Sequence, residues 1–116
     1  MGTPKRILIE VMYKADYCLP CVYMDAAVQE ILPRYEDHVA YRRVDIMTGK
    51  GKERYLQLCY DLFGKEAVLK WTRIAPVPSL LINGELAFDR IPPKFELISA
   101  IEETLQDMIG PNAFGN

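Results

Sequence analysis

The sequence predicts an α/β domain in the order β-α-β-α-β-β-α, and three observations carry the prediction. Ile7-Leu8-Ile9-Glu10-Val11-Met12-Tyr13 is an almost unbroken apolar run, as expected of a central strand covered by helices on both sides. Downstream, Met24, Ala27, Val28, Ile31, Leu32 and Tyr35 recur at the spacing of one helix face. Later in the chain, Asn83-Gly84 separates Leu80-Leu81-Ile82 from Glu85-Leu86-Ala87-Phe88, and Asn-Gly between apolar runs is the strongest short signal for a hairpin.

The first strand covers Arg6–Tyr13, and the first helix runs from about Cys18 to Leu32, where Pro33 ends or kinks it. Glu36-Asp37-His38 makes a polar turn, in which the single histidine reads as a surface residue. Val39–Ile46 is a second strand whose apolar content is interrupted by Arg42 and Arg43. Charges of this kind suit a sheet edge, where they discourage pairing with other molecules. Because a helix separates the two strands, they are predicted to pair in parallel through a right-handed crossover. Met47–Gly51 reads as a loop without the G-x-x-x-x-G-K-[ST] order of a phosphate loop. A helix follows over Lys52–Phe63, with Tyr55, Leu56, Cys59, Leu62 and Phe63 on its apolar side and Gly64 as its stop. Cys59 is thereby explained as a small buried hydrophobe.

The stretch from Asp45 to Pro78 is long for one crossover. Lys65–Trp71, rich in helix formers, accounts for the excess as an added helical segment on the surface, with Trp71 as a packed lid or, less readily, a docking residue. Ile74–Ser79 leads into the hairpin, and Glu85–Phe88 returns antiparallel. Pro92-Pro93 opens the last helix. Its predicted buried stripe is Phe95, Ile98, Ile101, Leu105 and Met108, and Gly110-Pro111 ends it. Residues 110–116 read as a frayed tail. No internal repeat or low-complexity segment interrupts a single domain spanning 1–116.

The joint between the first strand and the first helix carries the chemistry. Cys18-Leu19-Pro20-Cys21 lies there. Projecting the helix backwards puts Cys21 on the stripe of Met24 and Val28, so it faces inward. Cys18 lies one turn earlier, where its side chain can reach solvent. A thiol at a helix start meets unpaired N–H groups and the positive end of the helix dipole, both of which favour the thiolate. Three residues is one turn, which brings the two sulfurs within bonding reach. Cys18 could then attack a disulfide and Cys21 resolve the mixed disulfide. Pro20 fits because a first turn does not need its missing N–H. A C-x-x-C is also half of a zinc site, which needs further ligands. Only Cys59 and His38 remain to supply them, and neither repeats the spacing.

With 116 residues the chain buries enough surface for a single core. A formal charge of −2 without clustered basic residues excludes a nucleic-acid footprint and a membrane-surface patch. The densest basic spot, Lys50 and Lys52 beside Arg54, reads as a solvated helix start. Ile7–Met12 is too short for a signal-peptide core, and no stretch is long enough to span a bilayer. The expected compartment is the cytoplasm, where a C-x-x-C is catalytic or metal-binding rather than structural.

A C-x-x-C after the first strand, together with Val77-Pro78-Ser79 before the third and the Asn83-Gly84 hairpin, resembles the thioredoxin-like superfamily. The likeness in element order extends from about Lys5 to Ile109. It implies a mixed four-stranded sheet flanked by helices, with the first strand central and the second beside it. It also implies a cis-proline at Pro78 packed against the redox pair, and Val77 offering its backbone to an incoming chain as a strand-like contact. The implied site is Cys18 as nucleophile and Cys21 as resolving thiol, with Tyr17, Leu19, Pro20, Val77 and Pro78 binding substrate. A proline of this kind crowds the sulfurs against metal capture.

Three features depart from the family pattern. Tyr17 stands for the usual tryptophan, Leu19-Pro20 forms the dipeptide between the cysteines, and Met12 occupies the place of the buried acid. Glu10, two residues earlier on the same strand face, is a weak substitute for that acid. Leu19 cannot hydrogen-bond a thiolate, so a reductant is expected rather than a strong oxidant. The resemblance therefore implies a protein-disulfide reductase-like enzyme acting on a protein disulfide or one dedicated redox partner. Electrons would come from a thiol-based donor, without a bound cofactor, nucleic acid or membrane. The alternative is a thioredoxin-fold module that binds a protein through the long segment Gly49–Ala75, or binds a soft metal.

Overall fold

A computed structural model of the chain describes residues 6–70 and 73–109. The elements are β1 (Ile7–Tyr13), α1 (Leu19–Ile31), a 3-10 turn over Leu32–Tyr35, β2 (Val39–Asp45), α2 (Gly49–Phe63), α3 (Lys65–Leu69), β3 (Ser79–Ile82), β4 (Glu85–Phe88) and α4 (Lys94–Ile109). The four strands form one mixed sheet in the order β2-β1-β3-β4, with β2 parallel to β1 and the other pairs antiparallel. The charged strand is thus at an edge and the apolar one is central, as their residues predict.

Alternation along β1 divides the core in two. Ile7, Ile9 and Val11 pack on one face with Met24, Val28 and Ile31 of α1 and Leu97, Ile101 and Leu105 of α4. On the other face Met12 joins Val44, Leu81, Leu58 and Cys59 of α2, Val68 of α3 and Ala75. The hairpin is pinned at Asn83 (φ 52°) and Gly84 (φ 85°), two consecutive residues in the left-handed region. Asn83 also fixes this end of the sheet to β1. Its side-chain Oδ1 accepts from Leu8 N–H at 2.9 Å, and its own N–H donates to Leu8 C=O at 2.8 Å.

Several boundaries differ from the sequence reading. Gly49, Lys50 and Gly51 belong to α2 rather than to a loop, because Thr48 caps the helix by accepting from Gly51 N–H at 3.1 Å. Gly51 is needed there: a Cβ would stand 1.8 Å from the Asp45 carbonyl oxygen. α1 stops at Ile31, and Pro33 sits inside the 3-10 turn that follows. α4 begins at Lys94, after both prolines, with the Pro93 carbonyl accepting from Leu97 N–H at 3.1 Å. Phe95 is accordingly 70% exposed, and Leu97 takes its predicted place in the core. Two positions apart on a helix is about 200° of rotation, so the two residues cannot share a face.

On α2, Leu58 is buried and Leu62, in the last turn, is exposed. The added helix α3 spans Lys65–Leu69, while Trp71 and the predicted tail lie outside the described residues. His38 is half-buried rather than at the surface, and its carbonyl takes Ile7 N–H at 2.9 Å.

Candidate active site

β1 delivers the chain to a short turn, Lys14–Tyr17, and Cys18 N–H closes it by donating to Ala15 C=O at 3.0 Å. The turn is braced by Tyr13, whose hydroxyl donates to Asp16 and whose ring lies 4.3 Å from the Arg43 guanidinium. The Asp16 carboxylate at that hydrogen bond holds the Tyr13 phenol above its ordinary value.

Cys18 is the N-cap of α1, in an extended conformation, and Pro20 lies in the first turn. Its sulfur accepts from Cys21 N–H at 3.3 Å. Cys21 is fully buried, and its sulfur accepts from Lys14 N–H at 3.4 Å. The two sulfurs stand at disulfide distance with their Cα atoms 5.3 Å apart. Cys18 itself is half-buried. Each sulfur therefore faces a backbone donor, and the first turn of α1 holds no acidic residue to oppose a negative charge. Hydrogen bonds to the charged form and a helix N-terminus both favour a thiolate.

Beside Cys18 opens a groove of about 640 Å³, lined by Tyr17, Lys14, Ile46, Tyr55, Ile74 and Val77, with Ala75 and Pro76 between the last two. The Val77–Pro78 peptide bond is cis. The structure thus gathers Tyr17, Cys18 and Val77 around one groove. Leu19 and Pro20 are exposed in the first turn of α1 outside it, and Pro78 is buried and does not line it. Sequence reasoning missed Lys14, Ile46, Tyr55, Ile74, Ala75 and Pro76. Tyr55 carried a partial signal, since it falls on the predicted apolar side of α2 yet bears a hydroxyl needing a partner. That hydroxyl donates to Ala75 C=O, and Ala75 N–H donates to the Cys59 sulfur at 3.4 Å. α2 in this way grips both backbone groups of a residue in the groove wall. A second cleft, about 690 Å³ between β4 and α4, is lined by Glu85, Glu103 and Asp107 among others and contains no cysteine.

Glu10, the weak substitute for the family's buried acid, is occupied by other partners. It is 1% exposed and both its oxygens are held by guanidinium groups. Arg54 donates at 2.9 and 3.0 Å, and Arg42 adds a third bond. Burial pushes the Glu10 carboxyl up, but the hydrogen bonds and charges of Arg54 and Arg42 outweigh it and leave the group below its ordinary value. A carboxylate so occupied is a structural anion. Arg54, read from sequence as part of a solvated helix start, is its main partner.

Among the described residues no group of three or more histidine, cysteine, aspartate or glutamate side chains is placed to hold a metal ion. Among the same residues no helix is long and apolar enough to cross a membrane.

No family model and no curated protein matches the sequence. Solved structures do match the fold. A malarial protein superposes with a TM-score of 0.52 at 15% identity, covering 86% of this chain and 98% of its own. Thioredoxin-2, described as a component of the malaria parasite protein secretion machinery, gives a TM-score of 0.52 at 14% identity, covering 88% of this chain and 94% of its own.

Proposed function

We propose that this chain, whose fold is thioredoxin-like, is a thiol–disulfide oxidoreductase working through Cys18 and Cys21. One observation carries the reading: a half-buried sulfur capping a helix and a fully buried sulfur one turn behind it, at disulfide distance beside an apolar groove.

The reaction follows from that geometry. With both cysteines reduced, the Cys18 thiolate attacks one sulfur of a substrate disulfide. A Cys18–substrate S–S bond forms, the substrate S–S bond breaks, and the released thiolate takes a proton from water. Cys21 then loses its proton and attacks the Cys18 sulfur, forming the Cys18–Cys21 bond and releasing the second substrate thiol. Two electrons have passed to the substrate. A thiol-based donor returns the protein to its dithiol form by the same exchange in reverse order, and no bound cofactor is required. Tyr17 and Val77 contact the substrate in the groove, while Leu19, Pro20 and Pro78 shape the approach to the pair. The substrate is a protein disulfide or one dedicated partner, the site is cytoplasmic, and the direction is reducing.

The test has three parts. Cys18 is expected to alkylate in the reduced protein and to be protected after oxidation, and Cys21→Ser is expected to trap mixed disulfides with substrates. The Cys18–Cys21 couple is expected to titrate at or below the glutathione poise of roughly −240 mV. A value near that of strong oxidants, about −120 mV, would reverse the direction. An unreactive Cys18, with partners captured by Cys21→Ser irrespective of redox state, would instead make the chain a binding module.

A further inference from the structure

We propose that Lys14 makes the groove beside Cys18 selective for disulfides flanked by an apolar side chain and a neighbouring carboxylate, that is, for an acidic protein partner. The inference rests on the exchange reading above and names the substrate class for the same groove.

Lys14 is the one charged residue among those lining the groove, whose other walls are Tyr17, Ile46, Tyr55, Ile74 and Val77. Its ammonium lies 5.7 Å from the centroid of the Tyr17 ring. Among the described residues it has no carboxylate partner in an ion pair. Asp16, the nearest acid in sequence, accepts the Tyr13 hydroxyl instead. Arg73, the neighbour of Ile74 in sequence, does not line the groove, and its guanidinium lies 5.1 Å from the Phe63 ring. Among the described residues no acidic side chain lines the groove.

A chain whose cysteine meets Cys18 lays its neighbouring side chain on the Tyr55 and Ile74 wall. An apolar side chain is favoured there because the wall offers it little to hydrogen-bond. A carboxylate one position further would sit against Lys14, whereas a basic side chain would meet the like charge of Lys14. Charge at the rim of such a contact acts chiefly on encounter and on the rejection of wrong partners.

Fluorescence-quenched disulfide peptides of one design test this, with Leu-Glu, Leu-Lys or Ser-Glu beside the reactive cysteine and kcat/KM as the readout. The reduced wild type is expected to prefer Leu-Glu over Leu-Lys by about fivefold at low salt, the size of an exposed ion pair, and the ratio is expected to narrow as salt rises. Lys14→Glu is expected to invert that order, and Lys14→Met to erase it while keeping Leu-Glu ahead of Ser-Glu. An order that survives in Lys14→Glu overturns the inference. Equal rates for all peptides overturn it too, leaving disulfide exchange standing. If no peptide is reduced by protein whose two thiols titrate as intact, the exchange reading fails and this inference with it.

Discussion

The two faces of the sheet are built from different chemistry. The face under α1 and α4 is closed mainly by aliphatic side chains, from Ile7, Ile9 and Val11 to Leu97, Ile101 and Leu105, with Tyr35, Tyr41 and Phe88 packed among them. The face under α2 and α3 buries a carboxylate with two arginines, a free cysteine and a tyrosine hydroxyl on a backbone carbonyl. The first face carries the helix that presents Cys18. The second supplies the groove at Ile46, Tyr55, Ile74 and Val77. A reactive pair one turn apart needs only a helix held rigidly, which apolar packing achieves. A groove wall made of irregular chain has backbone groups to satisfy, and α2 satisfies them with side chains.

The largest expected effect breaks the apolar face. Ile9 is fully buried between Tyr41 of β2 and Ile82 of β3. Ile9→Ala is expected to cost about 4 kcal/mol, as transfer and cavity terms add. Urea midpoints check this, and because burial and the hydrogen bond to Asp25 hold the neighbouring Tyr41 phenol above its ordinary value, and so protonated, the cost is expected to be equal at pH 5 and pH 8.

Arg54→Met breaks the other face, at an expected cost of about 3 kcal/mol at neutral pH, because it removes a two-bond partner from a buried carboxylate. Here pH matters. The folded Glu10 carboxyl lies below its ordinary value of 4.5. Its contribution is fully present above that value and is lost as pH falls through the folded pKa. The penalty of Arg54→Met is therefore expected to shrink as pH falls below 4.5, where that of Ile9→Ala persists. A pH-independent Arg54→Met penalty would mean that the guanidinium acts there by packing alone.

This contrast also separates what was legible in the sequence from what was not. β1, α1 and the hairpin follow from local pattern. Cys21 falls on the stripe of Met24 and Val28, and Asn83-Gly84 adopts the two positive φ angles such a turn requires. The second face depends on distant residues. Glu10 meets Arg42 and Arg54 across 32 and 44 positions, and Tyr55 meets Ala75 across 20, separations at which no local periodicity carries information. The start of α2 fails for a related reason. Gly49–Gly51 looks like loop composition, and only the close approach of Gly51 to Asp45 explains the glycine. Phe95 was misplaced because two prolines left the first residue of α4, and hence its phase, open. In the groove, Tyr17, Cys18 and Val77 could be foreseen because they flank the cysteine pair and Pro78, whereas Lys14 and Ile74 have no such marker.

The smallest expected effect sharpens the comparison most. Tyr55→Phe keeps the ring in the groove wall and deletes only the hydroxyl that donates to Ala75 C=O. Burial holds that phenol above its ordinary value, so at neutral pH it is a donor. Its loss leaves one buried carbonyl, that of Ala75, without this donor, an expected cost of about 1 kcal/mol. Ala75 keeps its N–H on Cys59, so the wall loosens without unfolding. If the cysteine pair belongs to the apolar face and the groove to the other, the variant alkylates at Cys18 as fast as wild type while its KM for a disulfide substrate rises severalfold. A matching fall in the alkylation rate would mean that α2 also sets the reactivity of the helix opposite, and that the division between the faces does not extend to the sulfurs.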